Sequence, residues 1–299
     1  MTVLIPDARR SLLGGLIDDA ALLGPSPPNV EHAVGAYQRL RATEHGWMVG
    51  RLVVPVLRLE ELAGVLVRTL RSGSRSVPIV AAFDGDTASS ASIAASVHTT
   101  LDPAARIEQV LLPNEYSDPV DRIDDAVAAG NGIHHGVLSM VALPFGVSND
   151  ETTDAIAETG TKTLRAAGAW IDLRSAVVGP VTLSATIGAC VRSSLPFTVL
   201  ADHLPAVTQA NLPSGECRYG ALNLLAAALH VPPTGPDAAD VLADANPETF
   251  SIDFGGLTRN GVGIRGRGSV GADRSPLMSL TTLGAADTIA ALGALSKAL

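Results

Sequence analysis

The feature that most restricts this chain is a regular alternation of short apolar runs with longer helical patterns along most of its length. The clearest apolar runs are Arg51–Val56, Val77–Phe83, Ile107–Leu112, Val137–Leu143, Ala169–Leu173 and Phe197–Ala201. Each is short, rich in Val, Ile or Leu, and apolar on both faces, as strands inside a parallel sheet are. Helical patterns follow them at Leu59–Leu70, Ala88–Leu101, Pro119–Ala129, Asp150–Ala167 and Val181–Ser193. Strand and helix in turn is the signature of βαβ units. Two further pairs lie near the ends: Gly15–Leu22 before Val30–Arg41, and Leu277–Thr282 before Ala285–Leu295.

Eight strand–helix pairs in 299 residues predict an α/β fold: a (β/α)8 TIM-type barrel of parallel strands forming one domain over 1–299. Phe250–Gly256 also reads as a strand. The Gly-rich stretch Thr258–Gly268 beside it reads as an exposed turn, so Ser251–Arg267 is assigned to a hairpin. That hairpin belongs to an excursion over roughly residues 203–275, before the last strand.

Composition then removes several classes of function. No strand is followed by G-x-G-x-x-G, so no dinucleotide is expected. Lys162 and Lys297 are the two lysines among 21 basic residues. Neither falls at a strand end, so neither a Walker lysine nor a pyridoxal phosphate Schiff base is expected. A net charge of −9 with 3% aromatic residues argues against nucleic-acid binding. The start of the chain has no uninterrupted apolar h-region, no run is long enough to span a bilayer, and Cys190 and Cys217 form no C-x-x-C pair. The expectation is a cytoplasmic protein, not a membrane protein.

In a barrel the chemistry sits at the C-terminal ends of the strands. Those ends carry Asp18 and Asp19, Arg58, Asp84 and Asp86, Asn114 and Glu115, Asp172 and Arg174, Asp202 and His203, and Thr281 and Thr282. Carboxylates with one histidine and two arginines suit acid–base work on an anionic substrate, or a hard divalent cation. The same residues also suit a solvated rim.

Asp172 and Arg174 stand at i and i+2, on one face of a strand. The arginine can hold a carboxylate or phosphate while the aspartate polarises it, or the two can form a structural ion pair. His203 is the candidate acid–base residue, oriented by Asp202; a capping Asp beside a surface His reads equally well. Glu115 is a candidate substrate contact, and Asp19 and Asp84 are candidate metal ligands. Asp18 and Asp19 lie in an apolar run and need a partner or a metal if buried; in a helix they would simply face water.

The segments Leu16–Pro25, His45–Gly64 and Tyr219–Leu229, and more loosely Ala291–Leu295, resemble an uncharacterised bacterial, mainly actinobacterial, TIM-barrel-like family. In that family a Lys-x-Arg-x-Gly-Gly element ends a late strand, and a Phe-Lys-Ala-Thr-Ala-Gly-Leu-His-His-Pro element forms the next. A His-Gly-Phe-Leu-Asn element and a Gly-Ser-Cys-Ser-Phe stretch follow.

The counterparts here run 172–176, 197–205, 219–223 and 278–282, and both lysines, the glycine pair and the cysteine are missing. Arg174, His203, Pro205 and Asn223 remain, so the resemblance implies a substrate-binding place for Asn223. It also implies that any chemistry resting on those lysines is lost. Two readings stay open: a lyase- or isomerase-type enzyme acting on a small anionic metabolite, or a catalytically degenerate barrel kept as a structural or regulatory partner subunit. A homo-oligomer fits either.

Overall fold

The computed structural model describes residues 8–69, 76–84, 86–101, 104–112, 123–134, 136–143, 152–154, 158, 167–174, 178–210, 217–229, 238–253, 256–266 and 277–298. Eight parallel strands close into a barrel. They are β1 (Ile17–Asp19), β2 (Val49–Pro55), β3 (Val77–Ala82), β4 (Ala105–Leu111), β5 (Leu138–Ala142), β6 (Ala167–Asp172), β7 (Phe197–Ala201) and β11 (Leu277–Thr282). Their order around the barrel is β1-β11-β7-β6-β5-β4-β3-β2. Helices between the strands cover the outside, among them Val30–Arg41, Leu59–Thr69, Thr87–Leu101, Ile123–Ile133, Pro180–Arg192 and Ala285–Ala298. The fold is therefore the (β/α)8 barrel that the alternation predicts.

The core has two parts. A large outer cluster fills the space between strands and helices, and includes Ile17, Leu52, Ile79, Ile107, Val199 and Leu280. A smaller inner cluster fills the bore: Ala20, Val53, Val80, Leu111, Leu138, Met140, Ala142, Trp170 and Leu200. Because side chains alternate along a strand, each of β2 to β7 feeds both clusters. This is why the sequence runs read as apolar on both faces.

Some boundaries differ from expectation. The first strand keeps three residues where eight were expected. Gly15 takes a left-handed conformation with φ +64°, and its N–H donates to the Trp47 carbonyl, so the chain turns before the strand begins. At the other end Asp19 Oδ1 accepts the Ala21 N–H, which starts a 3-10 turn over Ala21–Leu23. The helix expected at Pro119–Ala129 is described over Ile123–Ile133. Ala167, expected to end a helix, opens β6 instead.

The segment expected as a hairpin is a three-stranded antiparallel sheet: β8 (Phe250–Asp253), β9 (Gly256–Arg259) and β10 (Val262–Gly266). Its second turn is Asn260-Gly261, both at positive φ, the pairing that two-residue hairpin loops favour. Among the described residues, the α-helices Ala221–Leu229 and Ala238–Ala243 and the 3-10 turn Pro247–Thr249 precede this sheet in the excursion. Among the described residues no helix is long and apolar enough to cross a membrane.

Candidate functional site

Inward positions on alternate strands of such a barrel fall into layers, and here the strand registers give four. The lowest, nearest the strand N-termini, holds Arg51, Gln109, Gly168 and Ser279. Above it lie Asp18, Val80, Met140 and Thr198, then Val53, Leu111, Trp170 and Thr281. The uppermost holds Ala20, Ala82, Ala142 and Leu200. The two lower layers carry most of the polar groups, and the apolar cluster fills the layers above them while also reaching Val80, Met140 and Leu138.

Arg51 organises the lower layers. Its Nη2 donates to Asp18 Oδ2 at 2.8 Å and to Ser279 Oγ at 2.8 Å, and its Nη1 donates to Gln109 Oε1. Its own backbone N–H donates to Asp18 Oδ1 at 2.6 Å. Ser279 Oγ and Thr198 Oγ1 share a further bond at 3.0 Å. The Asp18 and Arg51 side chains retain 0% and 11% of their exposure. A carboxylate so deep needs a counter-charge, and the partner is this arginine. Gln109 Nε2 is buried with no acceptor. Turning the amide would set an N–H against Arg51 Nη1, so the guanidinium fixes that orphan donor in place.

The C-terminal mouth has a different character. At the end of β6, Arg174 Nε donates to Asp172 Oδ1 at 3.0 Å and Nη2 to Asp172 Oδ2 at 2.9 Å. The Arg174 backbone N–H also donates to Oδ1, at 2.9 Å. Partial burial works against the Arg174 charge, but the Asp172 bond and the negative charges of Asp172 and Asp202 outweigh it and raise its pKa. No acceptor for Arg174 Nη1 is found among the described residues. Asp202 and His203 are exposed at the end of the neighbouring β7. Thr282 Oγ1, on β11, donates to the Asp202 carbonyl at 3.1 Å. Asp172, Arg174, Asp202 and His203 therefore stand on two adjacent strand ends.

The other candidates are placed elsewhere. Asp19 follows inward-facing Asp18, so it turns toward the helical layer. Burial pushes its carboxyl up, against the pull of the Ala21 N–H and with a further push from Asp18. Asp84 is exposed, and its carbonyl accepts the Ser90 hydroxyl. Asp86 caps the following helix through the Ala88 and Ser89 N–H groups. Among the described residues no three His, Cys, Asp or Glu side chains converge as metal ligands. Glu115 lies outside the described residues.

Asn223 is fully buried and its carboxamide is engaged by backbone. Nδ2 donates to the Val241 and Asp244 carbonyls at 2.7 and 2.8 Å, and Oδ1 accepts the Thr208 N–H at 2.8 Å. It pins the excursion, with no amide proton left for a ligand. The residues that sequence reasoning missed are Gln109, Ser279 and Thr198, together with Arg51 as the partner of Asp18. Their signal is polarity at inward positions of otherwise apolar strands, and it becomes readable once the registers are known.

No protein-family model and no curated protein sequence matches the chain. Among solved structures it is similar to the deoxyribose phosphate aldolase of Aeropyrum pernix, with a TM-score of 0.49 and 11% identity over 98% of this chain and 100% of that one. It is also similar to the UMP synthase of Leishmania donovani, with a TM-score of 0.46 and 14% identity over 97% of this chain and 54% of that one. At these identities the likeness concerns the architecture alone.

Proposed function

We propose that the C-terminal mouth binds a small anionic metabolite and works on it by acid–base chemistry of the lyase or isomerase type. The observation that carries this reading is the Asp172–Arg174 fork. One edge of the guanidinium is fixed by the aspartate, and Nη1, with no acceptor among the described residues, can take an incoming carboxylate or phosphate. A guanidinium oriented in advance binds an anion at lower entropic cost than a free side chain.

His203, on the next strand end, is the group that transfers the proton, and Asp202 supplies negative charge beside it and beside Arg174. On this reading the chain is a divergent member of the actinobacterial barrel family, rebuilt around residues other than the lost lysines. A divalent metal is not needed for this scheme.

The alternative, a degenerate barrel kept as a partner subunit, draws support from one observation: both Asp172 carboxylate oxygens are already taken by Arg174. Proton exchange separates the two. Small carboxylates and phosphate monoesters that bind the protein are incubated with it in D2O, and loss of a substrate C–H signal is followed by NMR. The proposal expects exchange with at least one compound. His203→Ala should slow it by about 10²-fold or more without loss of binding, and Arg174→Gln should abolish binding. Binders that never exchange a proton would favour the degenerate barrel.

A further inference from the structure

Outside the barrel the excursion carries a solvent-open cavity of about 780 Å³, within the range of roughly 300–1,000 Å³ that small-molecule sites occupy. Its walls include Asp240, Asp244, Asn246 and Arg259, and its apolar part is Ala243, Ala245 and Pro247.

Arg259 reaches from β9 to the loop after the helix Ala238–Ala243 and is held along one edge. Its Nε donates to Asp244 Oδ2 at 2.8 Å and its Nη2 to the Asp240 carbonyl at 3.3 Å. Asp244 is itself fixed, by the Thr249 hydroxyl at 3.0 Å and the Asn246 N–H at 3.1 Å. The Arg259 side chain retains 14% of its exposure, far less than a free surface arginine. Nη1 has no acceptor among the described residues, and the exposed Asp240 carboxylate has no donor among them.

These two unmatched groups define the ligand. An anion alone would meet repulsion from Asp240. A cation alone would meet the Arg259 guanidinium and leave its solvent-facing Nη1 unused. A molecule with an ammonium and a carboxylate a few bonds apart satisfies both. We propose that this cavity binds a small zwitterion of the α-amino-acid type, its ammonium on Asp240, its carboxylate on Arg259 Nη1, and a short aliphatic side chain against Ala243, Ala245 and Pro247. The site shares no residue with the barrel mouth, so it stands whether or not the mouth is catalytic.

The test is a calorimetric titration of the full chain with each of the twenty standard α-amino acids. Any binder is repeated as its N-acetyl derivative and as its carboxamide. At least one amino acid should bind at a ratio of one to one, and blocking either charge should weaken it at least tenfold. Asp240→Asn should do the same, as should Arg259→Lys, which keeps a cation beside Asp244 but removes Nη1. Circular dichroism checks that both variants are folded, and Arg174→Gln should leave the binding unchanged. Binding by none of the twenty would overturn the proposal. So would equal binding of a blocked derivative, or of the folded Asp240→Asn variant.

Discussion

The barrel holds two aspartate–arginine forks that match almost atom for atom. In each, the arginine's backbone N–H, Nε and Nη2 all reach one carboxylate. Asp18 and Arg51 come from neighbouring strands and lie 33 residues apart, whereas Asp172 and Arg174 are two residues apart on one strand end. The first pair has 0% and 11% of its side-chain exposure left, the second 12% and 27%.

In the first fork every nitrogen of the guanidinium is engaged, and it ties together residues of β1, β2, β4 and β11. In the second, among the described residues, Nη1 has no acceptor and the bond joins only two residues of one strand end. The same chemistry therefore fixes strand register at the bottom of the barrel and presents a cation at the top. The fork itself does not decide which: burial and the remaining donors do.

The largest expected effect separates the two. Asp18→Asn leaves the Arg51 charge buried without its counter-ion and should lower the unfolding free energy by about 3–5 kcal/mol, read from urea unfolding. The double change Asp18→Leu with Arg51→Met should recover most of that loss, since it removes both charges. Next comes Asn223→Ala, which strands a buried N–H and two carbonyls of the excursion and should cost on the order of 2–3 kcal/mol. Asp172→Asn should cost less than about 1 kcal/mol. If it costs as much as Asp18→Asn, the contrast between the two ends is wrong.

The smallest effects lie in acid. The Asp19 carboxyl is raised, so it favours the fold below its unfolded pKa of about 3.9 and loses that contribution as pH rises through its folded value. Asp244 runs the other way. Burial would raise it, but the bonds from Arg259, Asn246 and Thr249 hold it below its ordinary value. Its contribution is present above about pH 3.9 and is lost as pH falls through the folded value. Stability measured from pH 2 to 6 should therefore change slope in opposite senses for Asp19→Asn and Asp244→Asn. Equal slope changes would contradict the assignment.

What the sequence made readable follows from how local each signal is. β7 and β11 match the expected Phe197–Ala201 and Leu277–Thr282 residue for residue, because an apolar run between loop signals bounds itself. Asp172–Arg174 was readable as a same-face pair because strand alternation is local. The partner of Asp18 was not, because choosing Arg51 needs the register between two strands, which includes an irregularity. The partners of Asn223 are not readable for a related reason. It sits in the helix Ala221–Leu229, in which all nine residues are buried. Its bonds come from Thr208, Val241 and Asp244, which only the path of the excursion brings together.

The central claim is that Arg174, unlike Arg51, has a guanidinium available to a ligand. Thermal unfolding of the wild type and of Arg174→Gln, with and without small carboxylates and phosphate monoesters, tests it directly. At least one compound should stabilise the wild type, by about 2.7 kcal/mol at a hundredfold excess over its dissociation constant, and should leave Arg174→Gln unmoved. An equal shift in both proteins, or no shift with any compound, would contradict the account.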